Sequence, residues 1–243
     1  MSWSALLCVL VARGALALPV PPPLVALNTT EGLARLAAGG TLRAAFDAAF
    51  LHLVTQEDEA SCARASAVTA LNALGAFGVG APVDTTYAPY PYWTQDAYVA
   101  SACVASNCTA PCTLDEAARA LGCALGERAT ATARHAARGA LADAGALRAL
   151  IAARVADAGA GQIVANFERG AVGMDGTGHF SPVVAFEPES DSALVLDVAR
   201  YKYPPVWMPV ETLFAGINTT DASARDTRGL IDIELVPAGR GAG

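Results

Sequence analysis

Residues 162–198 read QIVANFERGAVGMDGTGHFSPVVAFEPESDSALVLDV, and this stretch decides the class of fold. Three short apolar runs, QIVANF (162–167), FSPVVAF (180–186) and ALVLDV (193–198), are separated by Gly, Pro, Asp and Ser. Such runs between turn-forming residues are typical of β-strands, and we predict that they pair in antiparallel fashion. A fourth run, LIDIELV (230–236), alternates apolar and polar residues and predicts the last strand.

The chain before this stretch shows the apolar spacing of α-helices. Residues 31–53 predict two short helices, and residues 61–74 predict a longer alanine-rich one. Thr113 and Glu116 form a capping-box pattern that begins a further helix, and residues 141–158 predict another. Helices first and strands afterwards indicate an α+β fold in two lobes, a helical N-terminal lobe and a C-terminal lobe built on an antiparallel sheet.

The composition excludes several classes of protein. Of the 243 residues, 53% are hydrophobic and 16% are charged, which excludes intrinsic disorder. Sixteen Lys and Arg residues against 23 Asp and Glu give a net charge of −7 without a basic cluster, so nucleic acid is not expected as a partner. The chain has 55 alanines, and no run of about 20 uninterrupted apolar residues predicts a membrane span.

The first residues have the pattern of a targeting segment. An apolar run, ALLCVLVA (5–12), is followed by the small-x-small triplet ALA (15–17) and then by a proline-rich stretch (19–23). This order predicts a signal peptide over residues 1–17, and the length of the remaining chain predicts a single domain over residues 18–243.

Three N-x-S/T sequons, at Asn28, Asn107 and Asn218, agree with a secreted protein. We therefore expect the secretory pathway as the location, with an extracellular, vacuolar or periplasmic destination. If residues 1–17 are not a signal peptide, the chain is expected in the cytoplasm.

Four of the six cysteines lie close together in the sequence: Cys103, Cys108, Cys112 and Cys123. In an oxidising compartment they could form two disulfides in any of three connectivities. A metal site is the second interpretation, although the spacings contain no C-x-x-C pair of the kind found in structural zinc sites. Unpaired thiols without a role are the third.

Four residues fit the machinery of a cysteine nucleophile. Cys62 lies at the first turn of a predicted helix, where free N–H groups and the helix dipole favour a thiolate. His179 precedes a predicted strand and follows glycines, which let a substrate approach its ring closely. Asp197 ends a strand 18 residues later and is placed to accept the imidazole N–H. Gln56 offers an amide donor for an oxyanion.

Spacing alone leaves a structural alternative open. A lone cysteine beside an alanine-rich helix is usually a core residue, and Cys62 fits that description as well. The other two histidines, His52 and His135, lack the glycine framing of His179 and are predicted to be surface or satisfied structural residues.

Three motifs carry a resemblance that goes beyond spacing. They are Thr55-Gln56-x5-Cys62-x3-Ser66-x5-Asn72-Ala73-Leu74, then Gly176-x-Gly178-His179-Phe180-Ser181-Pro182, and then LDVARYKYPP over residues 196–205. In their order and spacing the chain resembles the phytochelatin synthase family over roughly Asn28 to Val236. That family consists of glutathione γ-glutamylcysteinyltransferases, which are relatives of the papain-like cysteine peptidases.

The resemblance implies a role for five residues. Cys62 would be the nucleophile, His179 the acid and base, and Asp197 the partner that orients the histidine. Gln56 would donate to the oxyanion, and Arg200 would lie on the substrate side. The resemblance also implies a papain-like, two-lobed form of the α+β fold.

The activity implied by the resemblance is transfer of a γ-Glu-Cys unit. The enzyme would cleave the Cys–Gly bond of glutathione, release glycine and pass the unit to another glutathione, which makes a metal-chelating phytochelatin. No tightly bound cofactor and no metal site of the protein are expected. Cadmium or zinc would act as activator through the glutathione thiolate, so glutathione and its metal thiolates are the expected partners.

Three alternatives stay open. The same thioester could pass mainly to water, which gives γ-Glu-Cys and glycine. A secreted papain-like peptidase could act on proteins instead. A catalytically inactive relative could bind metal through the four clustered cysteines, and Ala63 is the sequence feature in its favour.

The chain departs from the family pattern at several positions. Ala63 and Arg64 follow the predicted nucleophile, where glycine is usual, and Met174 stands where glutamine is common. Residues 57–59 are all acidic, and their like charge disfavours a thiolate. A cysteine-rich extension like that of the plant enzymes is not expected after Val236. The four predicted catalytic positions are unaffected.

Overall fold

The computed structural model describes residues 18–108 and 111–236. The predicted signal peptide, residues 1–17, lies outside the described residues, as does Thr109 of the sequon at Asn107. No helix in the described ranges is both long and apolar enough to cross a membrane.

Eight α-helices lie in the described part of the chain. They are α1 (Thr30–Ala37), α2 (Phe46–Leu51), α3 (Cys62–Ala73), α4 (Gln95–Ala100), α5 (Ala102–Asn107), α6 (Leu114–Leu125), α7 (Ala144–Val155) and α8 (Val210–Ile217). The predicted capping box is present at the start of α6, because Thr113 Oγ1 accepts from the Glu116 N–H and the Glu116 carboxylate accepts from the Thr113 N–H.

The strands confirm the predicted α+β class. They are β1 (Val25–Ala26), β2 (Ala129–His135), β3 (Gly161–Glu168), β4 (Gly178–Glu187), β5 (Ser192–Val195), β6 (Val206–Pro209), β7 (Thr220–Asp221), β8 (Asp226–Thr227) and β9 (Gly229–Leu235). Seven of them form one sheet in the order β1-β6-β5-β4-β3-β9-β2, and all neighbours in it are antiparallel. Strands β7 and β8 form a separate hairpin.

Helices cover both faces of the large sheet. On one face, α7 packs through Leu147 and Ile151 against a cluster that includes Ile163 of β3. On the other face, α3 and α6 pack against a cluster that includes Val164, the next residue of β3. Neighbouring strand residues point to opposite faces, and β3 is buried on both faces, so it contributes to both clusters.

Helix α3 brings its first residue close to the sheet because its side chains are small. Ten of its twelve residues are buried, and alanine is the commonest of them. Small side chains allow a helix to approach a sheet closely without leaving voids. Asn72, near the end of α3, accepts from the Trp93 N–H and donates to the Trp93 carbonyl, which anchors the preceding proline- and tyrosine-rich loop.

Two elements differ from the sequence-based prediction. Strand β2 lies within the part of the chain predicted to be helical, and it pairs with β9 at the edge of the sheet. Its inward-facing residues are Ala129, Ala131 and Ala133. Alanine is only weakly hydrophobic, so the alternation of apolar and polar residues that predicts a strand is faint in β2. Helix α8 lies in the part predicted to be strands, and its eight residues are too few for a clear helical period.

The four clustered cysteines are paired as Cys103–Cys123 and Cys108–Cys112. Within the described residues Cys62 is the one free cysteine. A disulfide offers no thiolate to a metal ion. In the described part of the chain, no group of three His, Cys, Asp or Glu side chains could hold a metal ion.

Candidate active site

Cys62 is the first residue of α3 and is 8% exposed. Ser61 precedes the helix, and the Ser61 carbonyl accepts from the Ala65 N–H, so the helical hydrogen bonding begins at Ser61. The N–H groups of the first turn have no partners within the helix, and the dipole places positive potential at this end. The position therefore favours a negative charge on sulfur.

His179, the second residue of β4, lies against Cys62 and is 3% exposed. The imidazole is close enough to the thiol to lower the thiol pKa, and the thiol in turn raises the imidazole pKa. The imidazole Nε2 lies 3.0 Å from Asp197 Oδ1 and 2.9 Å from Ser181 Oγ. Because Nε2 is engaged on that side, Nδ1 is the ring nitrogen left to face the thiol.

Asp197 lies two residues beyond the end of β5, not at the strand end that the sequence predicted. The side chain is fully buried, and Oδ1 accepts from His179 and, at 2.8 Å, from the Ala199 N–H. Oδ2 has no hydrogen-bond partner among the described residues. The structure thus brings Cys62, His179 and Asp197 into one continuous chain of contacts.

The three side chains shift each other's pKa values towards an ion pair. Burial acts to raise the pKa of the Cys62 thiol, but the hydrogen bond and positive charge of His179 outweigh burial and lower it. Burial acts to lower the pKa of His179, but its hydrogen bonds to Asp197 and Cys62 raise it. Burial also opposes ionisation of Asp197, whose pKa His179 and Arg169 nevertheless lower. Both directions favour the pair of a thiolate and an imidazolium over the neutral pair.

Arg169 is a member of this cluster that the sequence analysis missed. Its side chain is buried, and Nη2 donates to Asp197 Oδ1 at 2.8 Å. The guanidinium also lies over the ring of Tyr203, with its carbon 5.3 Å from the centroid. A Cβ at Gly176 would come within 2.8 Å of the Arg169 side chain, and Gly176 has a φ of +119°. Glycine at position 176 leaves space for the buried side chain of Arg169. The occurrence of this glycine seven residues after an arginine is the sequence signal that could have pointed to Arg169.

Replacing Arg169 by methionine is expected to lower the free energy of unfolding by about 3–5 kcal/mol, because removing one partner leaves the buried Asp197 short of compensating charge. The matched control is Arg148→Met, whose pair with Asp191 is more than one-third exposed and should contribute less than about 1 kcal/mol. Urea denaturation of both variants measures the difference. Equal losses in the two variants would contradict a structural role for the buried pair.

Gln56 is buried, and its backbone N–H donates to Val198, the residue after Asp197. Its side-chain Nε2 donates to the Asp58 carbonyl at 2.7 Å and to the Tyr201 hydroxyl at 2.8 Å. Oε1 has no partner among the described residues. Both protons of the amide are therefore engaged, one of them by a hydroxyl on a half-exposed tyrosine.

Arg200 stands apart from the other four predicted site residues. It is exposed on the turn between β5 and β6 and makes no hydrogen bond or ion pair with a described residue. Its neighbours in the turn reach the segment before α3, because Tyr201 contacts Gln56 and Lys202 Nζ lies 2.9 Å from Glu59. The turn is thus close to the site, although the Arg200 side chain makes no hydrogen bond or ion pair with the other four residues.

A cleft of about 180 Å³ opens beside Cys62. Its walls are formed by the start of α3, by the edge of β3 and β4, by the segment around Cys112 and by the β7–β8 hairpin. Two of the lining residues each carry a buried side-chain atom that has no hydrogen-bond partner in the described part of the chain, Asn166 Oδ1 and Arg228 Nε. Buried polar atoms usually have partners, so these two mark the cleft as a place for a polar ligand.

Arg228 carries the positive charge of this cleft. Its guanidinium lies 3.2 Å from Asp221 and 3.1 Å from Glu168, and the residue is 8% exposed. A Cβ at Gly178 would overlap the guanidinium, so glycine is needed there for Arg228 to lie across the start of β4. The sequence analysis did not single out Arg228 or Asp221, since nothing local distinguishes them from surface charges.

Comparisons with known proteins agree on one family. A family model described as Phytochelatin synthase matches residues 15–230. Similar relatives include "Glutathione gamma-glutamylcysteinyltransferase 1" of Lotus japonicus, 45% identical over 69 residues, and its namesake in Triticum aestivum, 44% identical over 69 residues. These alignments cover 28% of this chain and 14% of each relative. A relative from Schizosaccharomyces pombe is 36% identical over 69 residues, 28% of this chain and 17% of its own length.

Proposed function

Because the chain belongs to the phytochelatin synthase family, we propose that it is a glutathione γ-glutamylcysteinyltransferase with Cys62 as its nucleophile. One observation carries the proposal: Cys62 and His179 shift each other's pKa, and His179 is hydrogen-bonded to Asp197, beside a cleft with a buried arginine. A lowered thiol pKa and a raised imidazole pKa are what a nucleophile and its acid partner require.

We propose that the arrangement is that of a papain-like enzyme. The nucleophile begins a helix, the histidine begins a strand, and the cleft lies between the helical part and the sheet. In this interpretation α3 and the helices around it form one lobe and the large sheet forms the other.

In the first half-reaction the Cys62 thiolate attacks the carbonyl carbon of the Cys–Gly bond of glutathione. The oxyanion that forms would accept from the Cys62 N–H and from Gln56 Nε2. Gln56 Nε2 now donates to the hydroxyl of Tyr201, which is half-exposed. The oxyanion would take the place of this hydroxyl as the acceptor. His179 gives its proton to the glycine nitrogen, the C–N bond breaks, and a γ-Glu-Cys thioester remains on Cys62.

The cleft supplies a site for the γ-glutamyl end of glutathione. That end carries an α-carboxylate and an α-ammonium group, which are opposite charges a few ångströms apart. Arg228 and Asp221 present the complementary charges 3.2 Å from one another on the wall of the cleft. The carboxylate would bind Arg228, whose Nε has no partner, and the ammonium would bind Asp221.

In the second half-reaction the thioester is opened by a second nucleophile. When the α-amine of another glutathione attacks, His179 accepts its proton and the product is a phytochelatin one unit longer. When water attacks, the products of the cycle are γ-Glu-Cys and glycine. Cadmium or zinc would enter as a thiolate complex of the acceptor glutathione, since soft thiolates suit these ions. Arg200, exposed on the neighbouring turn, would meet the acceptor's carboxylates.

We also propose that the protein is located in the secretory pathway. Two disulfides among the described cysteines support an oxidising location, in agreement with the predicted signal peptide and secretory route.

Mass spectrometry of the products made from glutathione tests the proposed function. With purified protein, we expect stoichiometric glycine release together with γ-Glu-Cys, phytochelatin or both, and a larger phytochelatin share when cadmium is present. Glutathione that stays intact with and without cadmium, while casein is cleaved, would instead indicate a protein-directed peptidase.

Substitution of Arg228 by glutamine is expected to raise KM for glutathione by about 10- to 100-fold, because a charge-assisted hydrogen bond to the α-carboxylate is lost. The effect should vanish with the dipeptide Cys-Gly, which lacks the γ-glutamyl group. Arg225→Gln is the matched control, since Arg225 is exposed on the same hairpin. A similar KM for Arg228→Gln and wild type would remove Arg228 from the substrate site.

A further inference from the structure

The hydroxyl of Tyr201 occupies an amide proton that the proposed oxyanion site needs. Gln56 Nε2 carries two protons, and both have acceptors: the Asp58 carbonyl at 2.7 Å and the Tyr201 hydroxyl at 2.8 Å. In this arrangement Gln56 has no proton left for a substrate oxygen. One of the two hydrogen bonds must break before the amide can stabilise an oxyanion.

The hydrogen bond to Asp58 belongs to the frame of the site. The Asp58 carbonyl also accepts from the N–H of Ser61, the residue before the nucleophile. The backbone N–H of Gln56 donates to the Val198 carbonyl. These contacts fix Gln56 to the segment that leads into α3. Loss of the bond to Asp58 would loosen that segment, so this proton is not the one that becomes free.

The hydrogen bond to Tyr201 is the one that can open. Tyr201 is 49% exposed and Gln56 only 5%, so the phenol can turn towards water while the amide stays in place. The Tyr201 oxygen accepts from Gln56, and its own proton has no acceptor among the described residues. A hydroxyl that turns outward therefore exchanges one partner, the amide, for water.

The Tyr201 oxygen lies where Gln56 would hold an oxyanion. Donors of an oxyanion hole lie about 2.7–3.1 Å from the oxygen that they stabilise. Tyr201 Oη lies 2.8 Å from Gln56 Nε2 and accepts its proton, as a substrate oxygen would. The phenol oxygen and the substrate oxygen therefore compete for the same donor.

The turn that carries Tyr201 is held in place by the next residue. Lys202 Nζ lies 2.9 Å from a carboxylate oxygen of Glu59, in the segment that also carries Gln56. The Lys202 carbonyl accepts from the Leu18 N–H at 2.7 Å. These contacts keep the phenol ring beside Gln56. The hydroxyl is thus a tethered competitor of the substrate oxygen, with a high effective concentration at the amide.

We propose that Tyr201 is an autoinhibitory residue, whose hydroxyl occupies the oxyanion donor Gln56 until the substrate displaces it. This inference rests on the role of Gln56 in the proposed function. An oxyanion forms when the thiolate attacks and again when the thioester is opened, so the displacement slows both half-reactions. Because the donor is needed in the transition state more than in the bound ground state, the effect falls on kcat more than on KM.

Tyr201→Phe is expected to raise kcat for glycine release from glutathione by about three- to tenfold, the net worth of one hydrogen bond relative to water. KM should stay within about twofold of the wild-type value. Tyr90→Phe is the matched control, since Tyr90 is 73% exposed and its hydroxyl bonds no described residue. A lower kcat for Tyr201→Phe would mean that the hydroxyl positions Gln56, and would overturn the proposal.

Two further measurements separate autoinhibition from a general loosening of the turn. In Gln56→Ala there is no amide for the hydroxyl to occupy, so adding Tyr201→Phe should change kcat by less than about 1.5-fold. The same acceleration in both backgrounds would contradict the proposal. Iodoacetamide should alkylate Cys62 equally fast in Tyr201→Phe and wild type, because displacement of iodide from a CH₂ carbon forms no oxyanion. Faster alkylation of the variant would assign the gain to the thiol instead.

p-Nitrophenyl acetate tests the contact without glutathione. The Cys62 thiolate attacks the acetyl carbonyl carbon, p-nitrophenolate leaves, and an acetyl thioester remains on sulfur. The burst of p-nitrophenolate should be about three- to tenfold faster in Tyr201→Phe than in wild type, and iodoacetamide should remove it from both. If the burst is accelerated but glutathione stays intact, the proposed function fails and the autoinhibition stands. If the variant shows no acceleration, the autoinhibition is absent whatever the activity on glutathione.

Discussion

Serine at position 62 is expected to lower glycine release from glutathione by about 10⁴-fold or more, because a serine hydroxyl beside His179 is far less ionised than the thiol. The fold should persist, since sulfur and oxygen differ little in size and Cys62 only begins α3. Glycine release is measured by amino-acid analysis of the reaction mixture.

The same experiment contains its own positive control. Wild-type protein quenched with acid during turnover should carry a γ-Glu-Cys unit on the peptide that contains Cys62, and Cys62→Ser should carry none. The four other cysteines in the described residues are paired in disulfides and offer no competing thiol. Wild-type rates of glycine release by Cys62→Ser would exclude this residue as the nucleophile.

His179→Ala should abolish glycine release and transfer together, since the imidazole handles a proton in each half-reaction. It should also change the reactivity of Cys62 in the absence of substrate. In wild type the hydrogen bond and charge of His179 hold the thiol pKa below its ordinary value, against the opposing effect of burial. Without His179, burial opposes the thiolate and only the backbone hydrogen bonds from Phe180 and Ala63 still favour it, so the pKa rises and the thiolate fraction at pH 6 falls. Iodoacetamide alkylation of Cys62 at pH 6 should slow by at least about tenfold.

Asp197→Asn separates orientation of the ring from supply of the proton. Asparagine retains an oxygen that can accept from Arg169 and His179, so the fold and the alkylation of Cys62 should be retained. The free energy of unfolding should be lower than in wild type, because the buried Arg169 guanidinium loses its opposite charge. Turnover should still fall by about 10³- to 10⁴-fold, because the amide does not stabilise the imidazolium and permits the wrong tautomer. A variant that melts far below wild type but keeps near-normal activity at low temperature would make Asp197 structural. For His179→Ala, the contradicting outcome is alkylation of Cys62 at the wild-type rate, which would show that His179 does not lower the pKa of the thiol.

Much of the architecture follows from patterns within single segments. The alanine-rich spacing before Gly75 predicts α3, and the apolar runs after residue 161 predict β3, β4 and β9. The order of these segments predicts the α+β class. The motifs around Cys62 and His179 also mark the residues that the structure places in contact. Local chemistry is enough here because helix starts and strand periods depend on neighbours a few residues away.

The remaining features depend on which strands are neighbours and in what register. Arg169 reaches Asp197 across 28 residues of sequence because β4 pairs with both β3 and β5. Arg228 enters the cleft because Gly178 leaves room for it. Such ion pairs join groups that look like ordinary surface charges in the sequence. The sequence itself determined that Cys62 lies at the start of a helix and that His179 lies at the start of a strand. Only the tertiary structure decided the Cys103–Cys123 pair, the buried arginine beside Asp197 and the pairing of Arg228 with Glu168, because each joins side chains that chain folding brings together over long separations.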